Sequence, residues 1–506
     1  VYNETIAINN NEDLNPSLAL AKFYLRQKQF DKAEKTLKDA LEANADDKQI
    51  LLTLADFYLS VDRIEDAEKT YESIISAEPD NDRGYLILAR LYVRKGEMQK
   101  AEEVYKRGIE NAAKPIGLKK SMAELLLDTK KTDEASGYIN EILQKEKQDA
   151  YGFYLRGRLH LAKEDVANAV NDLKESIKLA DKNHNAHYYL GLAYQLSGEM
   201  KAATEEMKSA LYLSPDMDRA GLALAALLLQ SGDYVPAEVE VEKVLAKYPE
   251  YPGANLLAAN IYLAQENVKK ASVHFERFTK LSPKDLRGWV GMGRVRIAKK
   301  EFHEAIDAFE KALLIDPNQS ELLIILANLY SSQKDFNSAE KSYNKAIEID
   351  NSDFKPRLGL AKFYLMQKQF DEAEKVLKDA LEASSDDKQI LIALADLYLS
   401  ADRQEDAEKT YEEIISAEPD NEQGYLMLAR LYARKGEIDK AEEVYVRGAE
   451  KESIRISLTK LMAELLLDAK KVDKASIYIN KMSEGEQNGA YGLYLRGRLN
   501  LARESC

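Results

Sequence analysis

Residues 286–319 read LRGWVGMGRVRIAKKEFHEAIDAFEKALLIDPNQ, and this stretch decides the fold. Small residues stand at Gly293 and Ala305, twelve positions apart, and a bulky ring follows the second at Phe309. Spacings of three and four place side chains on one face of a helix. Pro317 marks where a helix must stop, because proline lacks the N–H that a helix interior needs. The stretch reads as two amphipathic helices, A and B, crossing closely at the small residues and closed by a turn.

Outward from this unit the pattern returns at a fixed step. Alanines stand at Ala33, Ala67, Ala101 and Ala135, and the same step leads without a slip through Ala305 to Ala475. Twelve positions before each lies a second column of alanine or glycine, from Ala21 to Ala463 and on to Gly497. A side chain larger than methyl at either column would push the two helix axes apart. Three residues after the second column stands a large residue, often tyrosine, as at Tyr58, Tyr92, Tyr262, Tyr364 and Tyr398. That column explains much of the tyrosine excess (29 against a single tryptophan). Pro79, Pro215, Pro249, Pro283, Pro317 and Pro419 share one place in the unit, the turn between helix B and the next helix A.

With Trp289, Gly293, Ala305, Phe309, Ala312 and Pro317 in register, the chain resembles the tetratricopeptide repeat family. It departs from the family pattern at Arg296, where a tyrosine is usual. The resemblance implies an all-α fold, a right-handed superhelical α-solenoid of antiparallel helix pairs. Fourteen units run from 14 to 489 as one continuous solenoid, with a half-unit (a helix B) at 1–13 and another (a helix A) at 490–506. Residues 14–149 return at 354–489, with roughly two thirds of positions identical, beyond what a shared helix pattern requires.

Half-units at both ends predict that the chain is a segment of a longer protein. They also allow a second arrangement, in which the helix A at 490–506 pairs with the helix B of another copy. Tyr2, Ile6 and Ile8 would then meet Leu495 and Leu499, which the sequence leaves without a following helix B.

Composition narrows the function. Acidic and basic residues interleave to a net charge of −15, with no clustered basic footprint, so no nucleic-acid partner is expected. No apolar run is long enough to span a bilayer. The five histidines (His160, His184, His187, His274 and His303) show no metal-ligand spacing. No phosphate loop or nucleophile motif is present, and neither catalysis nor a cofactor or metal is expected. Paired carboxylates such as Glu102-Glu103 lie on the polar flank of a repeating helix. The run Ala258-Ala-Asn-Ile-Tyr-Leu-Ala-Gln looks like long bacterial repeat proteins linked to surface polysaccharide export, which tilts the expected location towards a bacterial envelope or the extracellular space.

The remaining expectation is a protein or peptide partner, or the chain itself head to tail. In the family, A helices line the concave surface, with positions 2, 5, 9, 12 and 13 of each unit facing a ligand. By that register, position 9 alternates in sign through Lys22, Asp56, Arg90, Glu124 and Arg158, and again from Lys362 to Arg498. Such a column reads either as a ladder of ion pairs between neighbouring helices or as a mixed-charge groove. In the central units the surface turns apolar and aromatic, and Tyr151, Tyr154, Arg158, Tyr188, Leu192, Leu222, Ala226, Asn260 and Arg294 are the candidate partner-binding residues. The family's carboxylate clamp is missing, because Leu256 and Ile324 stand where it needs lysines beside Asn260 and Asn328.

Overall fold

The computed structural model describes residues 14–44, 47–383, 388–482 and 489–504. The chain divides into two compact parts, 1–265 and 266–506. Among the described residues all regular structure is helical. Helix B begins at a constant step, at Phe30, Ile64, Met98 and onward to Val472, and each helix A starts within one position of the same step. Lys48–Ser60 followed by Ile64–Ala77 is one such pair, and Leu286–Ala298 followed by Phe302–Ile315 is another. Both parts are α-solenoids of consecutive helix hairpins.

A turn of two or three residues joins A to B, and one of its residues is left-handed in every unit, with φ between 56° and 85°. Four of these positions are glycine; Lys28, Asp62, Lys130, Glu164, Glu266, Lys300, Lys334, Lys368, Asp402 and Lys470 take the same conformation with a side chain. The next N–H then closes back onto the end of helix A, as Glu301 N to Arg296 O at 2.9 Å and Arg403 N to Tyr398 O at 2.8 Å. This closure satisfies a carbonyl that the helix end would otherwise leave unpaired.

Both small-residue columns are buried where helices A and B cross, as with Ala55 and Ala67, or Ala327 and Ala339. At Gly293 and Gly157 the column is glycine, and the facing helix B side chain occupies the place of a Cβ. A Cβ on Gly293 would stand 2.6 Å from Phe309 Cδ1, and one on Gly157 would stand 2.6 Å from Leu173 Cγ.

The tyrosine column does more than fill space. In several units the hydroxyl donates to a glutamate of the preceding helix B: Tyr58 to Glu34 at 3.0 Å, Tyr364 to Glu340 at 2.6 Å and Tyr398 to Glu374 at 2.9 Å. In the duplicated blocks an arginine completes the joint. Arg63 meets Glu34 at 2.6 Å and covers the Tyr58 ring at 4.6 Å; Arg403 meets Glu374 and covers Tyr398 at 4.5 Å.

The expectation for Leu495 and Leu499 is corrected. Both are buried, at 0% and 5% exposure, in the core with Met462, Leu466 and Ile479. They sit on the face of the helix Ala490–Glu504 that meets the preceding hairpin, so they do not depend on a following helix B. The exposed apolar residues of this helix are Tyr491, Leu493, Tyr494 and Leu501. Tyr2, Ile6 and Ile8 lie outside the described residues.

Candidate partner-binding surface

Three A helices of the first part carry the surface: Ala150–Ala162, His184–Leu196 and Asp218–Ser231. The first starts where the Asp149 carboxylate accepts from Gly152 N at 2.6 Å, and the second where the Asn183 side chain accepts from Ala186 N at 3.1 Å. These N-caps fix the first turns and so place Tyr151 and Tyr188. On the first helix, Tyr151, Tyr154 and Arg158 follow at i, i+3 and i+7 and share a face.

Arg158 is the centre of the arrangement. Its guanidinium is buried (8% exposed), lying 4.7 Å from the Tyr189 ring centroid and 5.5 Å from that of Tyr154. It donates to the Tyr154 hydroxyl at 3.2 Å and pairs with Asp128 at 2.5 Å and Glu124 at 3.4 Å. Tyr151 donates to the other oxygen of Glu124 at 2.6 Å. Burial, reinforced by the Glu124 charge, pushes the Tyr151 hydroxyl well above its ordinary range, and burial does the same for Tyr154. Both stay protonated at neutral pH, Tyr151 donating to Glu124 and Tyr154 accepting from Arg158.

A second cation extends the array. Arg219 lies 4.6 Å from the Tyr188 centroid and 5.6 Å from Tyr189, and it is held in place by Asn185. The Tyr188 and Tyr189 rings meet edge to face at 5.2 Å. Four tyrosines and two arginines thus run across neighbouring A helices, each cation over a ring face, which is the electrostatically favoured placement.

Of the candidates, Tyr151, Tyr154, Arg158 and Tyr188 are brought into this one array. Tyr154 and Arg158 form its floor, while Tyr151 and Tyr188 are half-buried and present part of their surface. Leu192, Leu222 and Ala226 are also half-buried. Asn260 is half-buried too, and its amide donates back to Leu256 O at 3.0 Å. Arg294 is exposed and belongs to the second part. Tyr189 and Arg219 were missed by the sequence reading. Arg219 holds position 2 of its unit and could have been found by register, whereas Tyr189 at position 6 reads as core.

Of the alternating column at position 9, the pairs closed within 4.0 Å among the described residues are Arg158–Glu124 and Arg498–Glu464. The ladder is therefore local to the ends of the two duplicated blocks. Among the described residues no group of three or more potential metal ligands is assembled, and no helix is long and apolar enough to cross a membrane.

A family model described as tetratricopeptide repeat matches residues 2–56, 24–87, 58–119, 228–289, 296–353, 331–397, 365–425 and 398–454, and a second of the same description matches 154–218. Together they cover well over half of the chain. Among solved structures, yeast Tom70 aligns at 18% identity with a TM-score of 0.38, covering 83% of this chain and 95% of that one. The fragment of MamA from residue 41 to its end, from Desulfovibrio magneticus RS-1, aligns at 22% identity with a TM-score of 0.32, covering 34% of this chain and 96% of that one. No curated protein sequence matches significantly.

Proposed function

Because the chain belongs to the tetratricopeptide repeat family, a family of protein-interaction scaffolds, we propose that it holds a partner's peptide segment across the A helices between Tyr151 and Asn260. The observation that supports this is the array of Tyr151, Tyr154, Tyr188 and Tyr189 with Arg158 and Arg219. Rings held by neighbouring cations are already rigid, so little side-chain entropy is lost when a segment is laid on them. Beside them Leu192, Leu222 and Ala226 offer apolar surface, and an apolar groove with a few fixed polar groups suits an extended or helical peptide.

The test is site-directed photo-crosslinking in extracts of the source organism. A photoreactive residue at Leu222 is expected to trap one protein species, and the same residue at Glu205, on the exposed side of a helix B, is expected to trap none. Adding Tyr188→Ala and Arg219→Ala should abolish the adduct while circular dichroism stays unchanged. An adduct pattern identical at the two sites, or insensitive to the double substitution, refutes the groove. Self-assembly through the terminal half-units is the alternative, and sedimentation velocity on the same preparation checks it: concentration-dependent growth in size supports it, a single invariant species does not.

A further inference from the structure

Next to the aromatic array a cavity of about 780 Å³ opens between the helices Asp82–Lys95 and Ile116–Asp128, bounded at one end by Tyr151. Its size lies within the usual range for ligand sites. The walls are partly apolar, with Leu86, Leu125 and the Tyr105 ring, and the charged groups in it differ sharply in how far they are committed. Glu124 and Asp128 are taken up by Arg158, and Glu124 also by Tyr151. Lys120 is taken up by Asp149 at 2.7 Å and Glu146 at 3.0 Å. Arg90 and Arg94, one helical turn apart on the first wall, are exposed, and neither has a carboxylate within 4.0 Å among the described residues. The charges of the cavity that meet no opposite charge are these two guanidiniums, of which Arg90 also reaches the Tyr105 hydroxyl.

The same constellation recurs in the second part, in the later copy of the duplicated block. Arg430 and Arg434 are one turn apart on the helix Glu422–Arg434, both exposed and again without a carboxylate within 4.0 Å among the described residues. Arg498 meets Asp468 at 2.5 Å and Glu464 at 3.6 Å, and Tyr491 donates to Glu464 at 2.5 Å. The bordering stretch did not hold its identity: Asn111 became Lys451, Lys114 became Ile454 and Pro115 became Arg455. The arginine pair, Glu124 and Asp128 with their counterparts Glu464 and Asp468, and the tyrosine beside them are the same at both places, whereas Asp149, which holds Lys120, is replaced by Gly489.

We propose that the chain carries two equivalent docking sites, one at Arg90 and Arg94 and one at Arg430 and Arg434, each taking an acidic peptide segment. Each segment places a carboxylate side chain on the guanidinium pair and an adjacent aliphatic or aromatic residue against the apolar wall. Guanidinium forks bind carboxylates bidentately, and two of them one turn apart suit two acidic side chains or one shared between them. The inference rests on the peptide-groove reading above, and it adds the chemistry of the segment and the number of sites.

The experiment is a selection of displayed random peptides against the full chain, followed by calorimetric titration with the most enriched synthetic peptide. Enrichment of peptides pairing Asp or Glu with apolar residues is expected, binding at two sites per chain. Arg90→Gln with Arg94→Gln should leave one site, as should Arg430→Gln with Arg434→Gln, and the fourfold variant should weaken binding about tenfold or more. Circular dichroism and the lysine-for-arginine variants, which keep the charge and should bind weakly, separate lost recognition from lost folding. A single site in the unaltered chain, enrichment of basic or neutral peptides, or binding indifferent to all four arginines overturns the proposal. Peptides that ignore these arginines but are lost with Tyr188→Ala and Arg219→Ala would overturn it and leave the groove standing; no enrichment at all would overturn both.

Discussion

Gly293 lies directly against the ring of Phe309, so close that a Cβ would stand 2.5 Å from Cζ and 2.6 Å from Cδ1, with Cε1 nearer still. Phe309 is itself fully buried. Gly293→Ala should therefore destabilise the chain by about 1–2 kcal/mol, overpacking outweighing alanine's better helix propensity. In the Phe309→Leu background the same change should cost clearly less. Urea unfolding of the four members of this double-mutant cycle measures the coupling, and additive effects would contradict the contact.

The left-handed turn residue offers a stability change of the opposite sign. Lys300→Gly removes a Cβ from a conformation that disfavours it and should stabilise by about 0.5–1 kcal/mol. Gly232→Ala meets no atom within 4 Å, so its loss, about 1 kcal/mol, is conformational alone. Hydrogen exchange of the amides in the flanking hairpins reports both.

Acid should loosen the joints between hairpins. The Glu374 carboxyl is held down from 4.5 to about 2 by hydrogen bonds, foremost from Arg403, with Lys378 and Tyr398 assisting. A depressed folded-state value means stability that is fully present above pH 4.5 and lost as pH falls towards 2. Glu374→Gln should lower the urea midpoint at pH 7 and flatten the decline between pH 4.5 and 2. A wild-type and variant decline of equal slope would count against the joint.

His187 works in the other direction. Its Nδ1 lies 2.6 Å from Glu206 Oε2 and its Nε2 3.2 Å from Asp181 O. The Glu206 hydrogen bond raises its pKa above 6.5, so its contribution is complete below that pH and is lost as pH rises through the folded value. Nuclear magnetic resonance titration should find the raised value, and Glu206→Gln should return it towards 6.5.

The hairpin plan was legible because Ala305, Gly293 and Pro317 each carry a geometric requirement that no other residue type meets as well. The tyrosine column was legible as bulk but not as chemistry. Period alone cannot show that the Tyr398 hydroxyl reaches Glu374, since the two stand on different hairpins. Leu495 and Leu499 were misplaced for a related reason: a helix A has two apolar faces, and the sequence does not say which one a given leucine serves. At the candidate surface, Arg158 was read as a groove residue, yet two rings and two carboxylates draw it inward. Arg219 went unchosen although it cradles Tyr188, because its value lies in a neighbour on another helix.

The tyrosine–glutamate–arginine joint spans the seam between one helix B and the following helix A, not the hairpin that the repeat register draws. The seam at the same place in each duplicated block closes through like parts, Glu34 with Tyr58 and Arg63 and Glu374 with Tyr398 and Arg403. A piece ten periods long, cut at these two seams, leaves matching half-couplings on its two sides. Matching ends of this kind let an array gain or lose whole blocks of units without breaking a joint, and the return of 14–149 at 354–489 is in keeping with that freedom.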